Sequence, residues 1–414
     1  MNLGFSTLLS FGLLSAMLVF ADAAADVVIG DLRVSCAEDP ACINRLHHDI
    51  SMVADADQGE RIVFIGRDAF DLTLDPDEFS SAKTMPREGI GIVHALTGPV
   101  YINGAAAGDI LAVTIEALEP ADVGWTVAGP FGFAGDQFGT DERFIVWRID
   151  AEYAVSDALP GVRIPNASFP GVVTTLPGAA LTAEVLARET QLAESGGTVL
   201  SPDPVEAEPA SLCGAEGTKP GECLRTIPPR EHGGNMDIRY ITTGTTVYLP
   251  CFIDGCGLAV GDFHYAQGDG EVAGTAIEMG GRMTVTARVV DDPPDLSHGP
   301  HYEGPASVLR IPSKRFYAVT GFPLKEEGTV PADLAYLGSP KIADLTNLSS
   351  DINLAARNAL AAMIDYIVSE YGYDRTQAYM IASIAVDIRI GQLVDVPNVG
   401  VTAILPLDIF VSGD

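Results

Sequence analysis

The sequence predicts a mainly β fold with a smaller C-terminal α/β portion. Glycine and proline are abundant, 43 and 27 of 414 residues, and cut the chain into the short segments that many short strands require. Apolar residues alternate with polar or small ones: in Asp109–Leu118, Leu111, Val113, Ile115 and Ala117 interleave with Ala112, Thr114 and Glu116. Helical spacing is confined to the last quarter of the chain.

Taken in order, residues 4–20 are almost wholly apolar and the small-residue run 21–25 follows. An apolar core before an Ala-x-Ala site is a secretory signal. We expect residues 1–25 to be a signal peptide and the protein to be exported, periplasmic or secreted, without stable membrane insertion after cleavage. The segment lacks Lys and Arg, so an uncleaved anchor is the alternative. No later segment is long and apolar enough to span a bilayer. Ile62–Ile65 is a short apolar strand. Pro99–Asn103 and Asp109–Leu118 read as a strand pair joined through a Gly104–Gly108 turn. Thr245–Phe252 and Arg282–Val290 carry similar β-rich patterns. Ser201–Arg230 is rich in Pro and Glu and lacks periodicity, which suggests a surface excursion and a boundary. We divide the mature chain there into a β-rich part, 26–230, and a part with the chemical motifs and a helix pair, 231–414. Ser350 or Asp351 caps the first helix, whose apolar face is Leu360, Ile364, Ile367, Val368 and Tyr371. Gly372 ends it. Asp374 opens the second helix, with Gln377 placed for a capping box. Val399–Leu405 returns to strand.

Acidic residues outnumber basic ones, 56 to 24, for a net charge of −32. Such a surface repels nucleic acid and anionic lipid, and no basic patch with interleaved aromatics offsets it. The six cysteines form three close pairs: Cys36 and Cys42, Cys213 and Cys223, Cys251 and Cys256. Local disulfides are the favoured reading in an oxidising compartment. Free buried thiols are the alternative for Cys251 and Cys256.

The chemistry concentrates between His232 and Glu271. Asp262 and His264 lie two apart, so on an extended segment their side chains share a side. Asp269 and Glu271 repeat that spacing. A turn near Gly268 lets both pairs converge. Histidine with carboxylates at one locus suits zinc or another divalent ion, which lowers the pKa of bound water towards about 7. A nearby carboxylate that is not a ligand can then take the proton, and Glu271 is assigned that role. Gly233-Gly234 frees the backbone before Asn235 and Asp237, with His232 ahead of them. The alternatives are a structural histidine at His264 and polar glycine turns elsewhere. His94, at an apolar strand end, taken alone reads as a core or capping histidine. His47-His48 and His298–His301 read as surface residues. The nucleophile elbow, the H-E-x-x-H helix and the P-loop are all missing.

The runs 228–252, PPREHGGNMDIRYITTGTTVYLPCF, and 260–278, VGDFHYAQGDGEVAGTAIE, resemble the acetamidase/formamidase family. Residues 98–118, GPVYINGAAAGDILAVTIEAL, and the tail from Ala362 to Pro406 are similar to it as well. The resemblance covers roughly Val93 to the C-terminus. It implies hydrolysis of a small linear amide to a carboxylate and ammonia. It also implies jelly-roll-like β-sandwich parts with a smaller C-terminal α/β portion, and a homo-oligomer. Asp237, Asp262, His264, Asp269 and Glu271 fall on the polar positions of the two central motifs. The roles are our chemical assignment. Asp237, Asp262 and His264 hold the metal. Glu271 is the base, and Asp269 orients it or a ligand. His94, His232, Asn235 and Gln267 bind the substrate.

The sequence departs from the family in its export signal, the long Ser201–Glu222 excursion and Thr174–Pro177. Cys251 and Cys256 also depart, and lie between the two motifs, which suggests a disulfide beside the active site. A same-fold hydrolase of a larger amide, ester or cyclic substrate is one alternative function. A non-catalytic periplasmic binding protein is another.

Overall fold

The computed structural model describes Met1 and residues 26–72, 74, 85–87, 89–297, 299–330, 342–393 and 398–411. The expected signal segment lies outside them. Among them no helix is long and apolar enough to cross a membrane.

The fold is mainly β, built on one large sheet of mostly antiparallel strands. Its spine is the pairing of Ile110–Ala128 with Glu278–Val289. Leu111, Val113 and Ile115 are fully buried while Glu116 points to solvent, as the alternation requires. Thr246–Pro250 lies against the first half of the long strand, with Val247 opposite Val113. Arg143–Ile149 lies against its second half. Strands from both sides of residue 230 share this sheet: Phe169–Thr174 pairs with Gly233–Asn235 on one edge and Cys256–His264 on the other.

The expected pairing of Pro99–Asn103 with Asp109–Leu118 does not form. The strand Leu96–Ile102 pairs instead with Cys256–His264. The loop between the two segments is held by the 251–256 turn: Gly108 N donates to Cys251 O, Cys251 N to Asp109 O and Gly255 N to Ala105 O. That turn occupies the place a tight hairpin would need.

The Ser201–Arg230 excursion is knitted to the first part of the chain. Arg45 donates to the carbonyls of Asp203 and Val205, Asn44 brackets Glu206 and Glu208, and Leu224–Arg225 pairs with Arg45–Leu46. The disulfide Cys213–Cys223 closes it, and Cys36–Cys42 and Cys251–Cys256 are also bonded. A sixteen-residue helix, Ala179–Glu194, precedes it. The sequence gives this helix only a short apolar stripe, Leu181 and Val185.

The C-terminal portion follows its caps. Asp351 accepts from Leu354 N at the start of Ile352–Tyr371, and Gly372 ends that helix in the left-handed region. Asp374 and Gln377 form a reciprocal capping box on Arg375–Ala385. The helices pack with a three-stranded antiparallel sheet in which Gly400–Pro406 runs between Phe316–Gly321 and Asp387–Gln392.

Candidate active site

Four short segments deliver carboxylates to one buried locus. The Cys256–His264 strand is buried throughout and ends in Asp262 and His264. The extended geometry expected between these two does not hold. Asp262 sits at φ 55°, in the left-handed region. It interrupts the ladder opposite Gly171, where the register passes from Gly261↔Val172 to Phe263↔Pro170. The side chains still converge, with His264 Nε2 3.4 Å from Asp262 Oδ1. Asp237 and Glu271 also take left-handed φ, 49° and 40°. Such conformations are uncommon outside glycine and cluster where the surrounding structure holds functional groups.

Asp237 and Glu271 each have a local anchor. Met236 N and Asp237 N both donate to Gly171 O, and Glu271 N donates to Gly268 O. Gly171 leaves the space they need: a β-carbon there would lie 2.6 Å from Asp262 Oδ2 and 2.7 Å from Asp237 Oδ1. Glu278, opposite His264 in the sheet, completes the cluster with Oε2 3.2 Å from His264 Nε2.

Gln267 fixes the imidazole. Its Nε2 donates to the Asp237 carbonyl, which leaves Oε1 as the acceptor facing His264 Nδ1 at 2.9 Å. Nδ1 therefore carries a proton and Nε2 is the atom turned to the carboxylates. Among the described residues the ion pairs of these carboxylates are with His94 and His264. Asp237 Oδ1, Asp262 Oδ1, Glu278 Oε2 and His264 Nε2 are buried without a hydrogen-bond partner. Buried polar atoms left without a hydrogen bond are costly. Carboxylate oxygens and an imidazole nitrogen are donors that a divalent ion takes. Two overlapping groups have ligand atoms within 4.8 Å of one another: Asp237, His264 and Glu271, and Asp262, His264 and Glu278. The donor set fits a metal, with His264 common to both groups.

Burial sets the protonation pattern. It pushes Asp237 up to about 8, helped by Asp262, and pushes Glu271 well above the usual carboxylate range, helped by Asp237. It raises Glu278 as well. For Asp262 burial is outweighed by His94 and His264, which hold the carboxyl low. For His264 burial is outweighed by Glu278 and Asp262, which raise it well above the usual imidazole value. Burial lowers His94.

Asp237, Asp262, Glu271 and Glu278 line a cavity of 810 Å³ together with His94 and Asn235, and His264 lies outside that lining. His94 lies with Nε2 3.7 Å from Asp262 Oδ2, and its backbone N and ring Nδ1 both meet the Thr226 hydroxyl.

The other expected site residues lie elsewhere. Gln267 orients His264 and is not in the cavity lining. His232 is fully buried, with Nδ1 on the Thr174 hydroxyl at 2.8 Å. Asp269 points away from the cavity: it accepts from the Tyr240 hydroxyl at 2.5 Å and pairs with Arg239 at 3.2 Å. Arg239 in turn binds Asp387 at 3.0 Å, and Ile388 N donates to Asp269 O, so this network ties the 265–271 turn to the C-terminal sheet. The disulfide expected beside the site is remote. Cys256 opens the strand whose other end carries Asp262, about 20 Å away at strand rise. His47, read as a surface residue, is buried, and its Nδ1 accepts from Asp49 N; His298 lies outside the described residues.

Sequence reasoning missed Glu278, Thr226 and Gly171 as site residues. A charged residue inside the apolar run Ala276–Met279 is the signal that could have found Glu278. Thr226 lies in the aperiodic excursion and carries no such signal.

The acetamidase/formamidase family model matches residues 30–412. A formamidase of Methylophilus methylotrophus is 30% identical over 89% of this chain and 89% of its own. An acetamidase of Mycolicibacterium smegmatis is 30% identical over 82% of this chain and 84% of its own. Among solved structures, a gamma lactamase from Delftia acidovorans superposes with a TM-score of 0.79 at 27% identity, covering 93% of both chains. With the family model spanning nearly its whole length, the chain belongs to the acetamidase/formamidase family.

Proposed function

We propose that the acidic cluster hydrolyses the C–N bond of a small linear amide, giving a carboxylate and ammonia. Family membership makes the chain an amidohydrolase of small amides; the proposal concerns the residues and their chemistry. The observation that carries it is the convergence of Asp237, Asp262 and Glu278, which line the cavity, with His264 on buried oxygen and nitrogen atoms that have no hydrogen-bond partner. Asp237, Asp262 and His264, with Glu278 beside them, would hold a divalent ion, zinc in our reading. Such an ion supplies Lewis acidity and lowers the pKa of water.

Glu271 lies beside this set and takes the proton of the attacking water. A carboxyl held above the usual carboxylate range by burial and by Asp237 returns that proton readily to the departing nitrogen. The C–O bond forms first, the C–N bond breaks as the protonated nitrogen leaves the tetrahedral carbon, and water's atoms divide between acid and ammonia. His94 faces the carbonyl oxygen, with Thr226 fixing its ring, and Asn235 faces the amide nitrogen. Ammonia release from formamide and acetamide, with elemental analysis of the same sample, tests the reading. Glu271→Gln should lower kcat by about 100-fold or more while leaving the fold intact. Near-normal turnover in the folded variant would remove Glu271 from the role, and activity surviving complete chelation would remove the metal.

The likeness to the gamma lactamase favours a second reading, ring opening of a cyclic amide. Lactam hydrolysis frees no ammonia, so chromatographic detection of the amino acid separates the two. Export is also part of the proposal, supported by residues 4–25 and the three disulfides. Cell fractionation and sequencing of the mature N-terminus test it. Homo-oligomerisation is tested by sedimentation of the purified protein.

A further inference from the structure

The acidic cluster accounts for only part of the 810 Å³ cavity. Much of the remaining lining is apolar: Phe70, Met85, Val93, Val127, Phe131 and Ile227. Two satellite cores back this wall. Val127, with Phe70, Met85 and Phe131 against it, belongs to the group around Trp125 and Phe144. Val93, with Ile227 against it, belongs to the group around Cys36, Cys42 and Ile92. Phe70 packs on both, its ring edge-on to Trp125 at 5.5 Å, and its backbone N is tied to Asp68 Oδ1. Fixed packing therefore holds the wall apart. The charged residues of the lining beyond the cluster have partners: Arg87 pairs with Glu206, and Glu142 accepts from Met85 N.

Cavities of about 300–1,000 Å³ take ligands of drug size. The acyl substituent of formamide is a hydrogen and that of acetamide a methyl, so neither spans from the cluster to the wall. Since hydrolysis of a primary amide releases ammonia, any bulk must sit on the carbonyl carbon. On the hydrolytic reading given above, we propose that the wall is an acyl-group subsite. The preferred substrates are then primary carboxamides bearing an uncharged aryl or branched-alkyl group.

The test is kcat/KM by ammonia release from the full-length protein for formamide, acetamide, isobutyramide and benzamide. A single methylene in a fitted apolar pocket is worth about 10–200-fold, so benzamide should exceed acetamide by at least about 100-fold. Met85→Trp, which fills the wall, and Phe131→Asp, which charges it, should each lower the benzamide-to-acetamide ratio by about 10-fold or more. The ratio is insensitive to the fraction of folded enzyme. A flat or falling series, or a ratio unchanged in both variants, overturns the subsite and leaves amide hydrolysis standing. Absence of ammonia from every amide overturns the hydrolytic reading and the subsite with it.

Discussion

Replacing Gly171 with alanine adds one methyl group and removes no chemistry. The added carbon would lie 2.6 Å from Asp262 Oδ2 and 2.7 Å from Asp237 Oδ1. Ordinary contact starts near 3.5 Å, so each carboxylate must retreat by roughly 0.8–0.9 Å. Both are held by left-handed backbone, and Asp237 N is tied to the oxygen of Gly171 itself, so the retreat displaces both cluster carboxylates together. A displacement near 1 Å costs about 100-fold in rate, and that is the expected loss in kcat/KM. Stability should fall by no more than about 2–3 kcal/mol. Overpacking costs about 1–3 kcal/mol, and the lower entropy of the unfolded alanine chain offsets about 0.4–1 kcal/mol of it. Gly171 lies outside the left-handed region, so alanine adds no backbone strain. Ammonia-release kinetics, metal content and a thermal melt on one preparation decide the matter. A folded variant within about 3-fold of the wild-type kcat/KM would refute the placement of Asp237 and Asp262 at the reacting centre.

Gln267→Leu removes the partner of His264 Nδ1 and of the Asp237 carbonyl, and metal affinity should fall about 10–100-fold, read by chelator competition. Asp269→Asn should lower the melting temperature by loosening the Arg239 network, yet reduce kcat/KM far less than Glu271→Gln; equal losses would return Asp269 to the chemistry. His232 is buried and held neutral, its pKa depressed to about 3 by burial and then by Arg230. An imidazole depressed in the fold contributes stability above its unfolded pKa of about 6.5, and loses it as pH falls towards 3. About 2 kcal/mol should go between pH 7.5 and pH 5. Melting curves against pH for wild type and His232→Asn check this: the variant should lose that part of the slope.

The parts of the fold legible in the sequence are those set by local rules. Asp351, Gly372 and the Asp374–Gln377 box mark the helix ends because caps satisfy backbone groups within a few residues. The alternation in Asp109–Leu118 gave the strand and its buried face, but not its partners. Partner choice depended on the 251–256 turn, which lies far along the chain. The cluster was legible for the same kind of reason: Asp237, Asp262, His264 and Glu271 stand among glycines that announce unusual backbone. Glu278 stands in a regular strand and owes its place to cross-strand register with His264. Gln267 and Asp269 share the motif, yet one orients the imidazole and the other grips Arg239, because a turn sends successive side chains in different directions.

The tie between the 265–271 turn and the C-terminal sheet bears on the order of folding. Arg239 meets Asp387 across 148 positions, and His94 meets Thr226 across 132. Loops of that size close late, after local helices and neighbouring strands have formed. A chain still lacking its last strands can hold much of the sheet while the Glu271 turn stays unanchored. Regain of turnover after dilution from denaturant should therefore lag the regain of secondary structure.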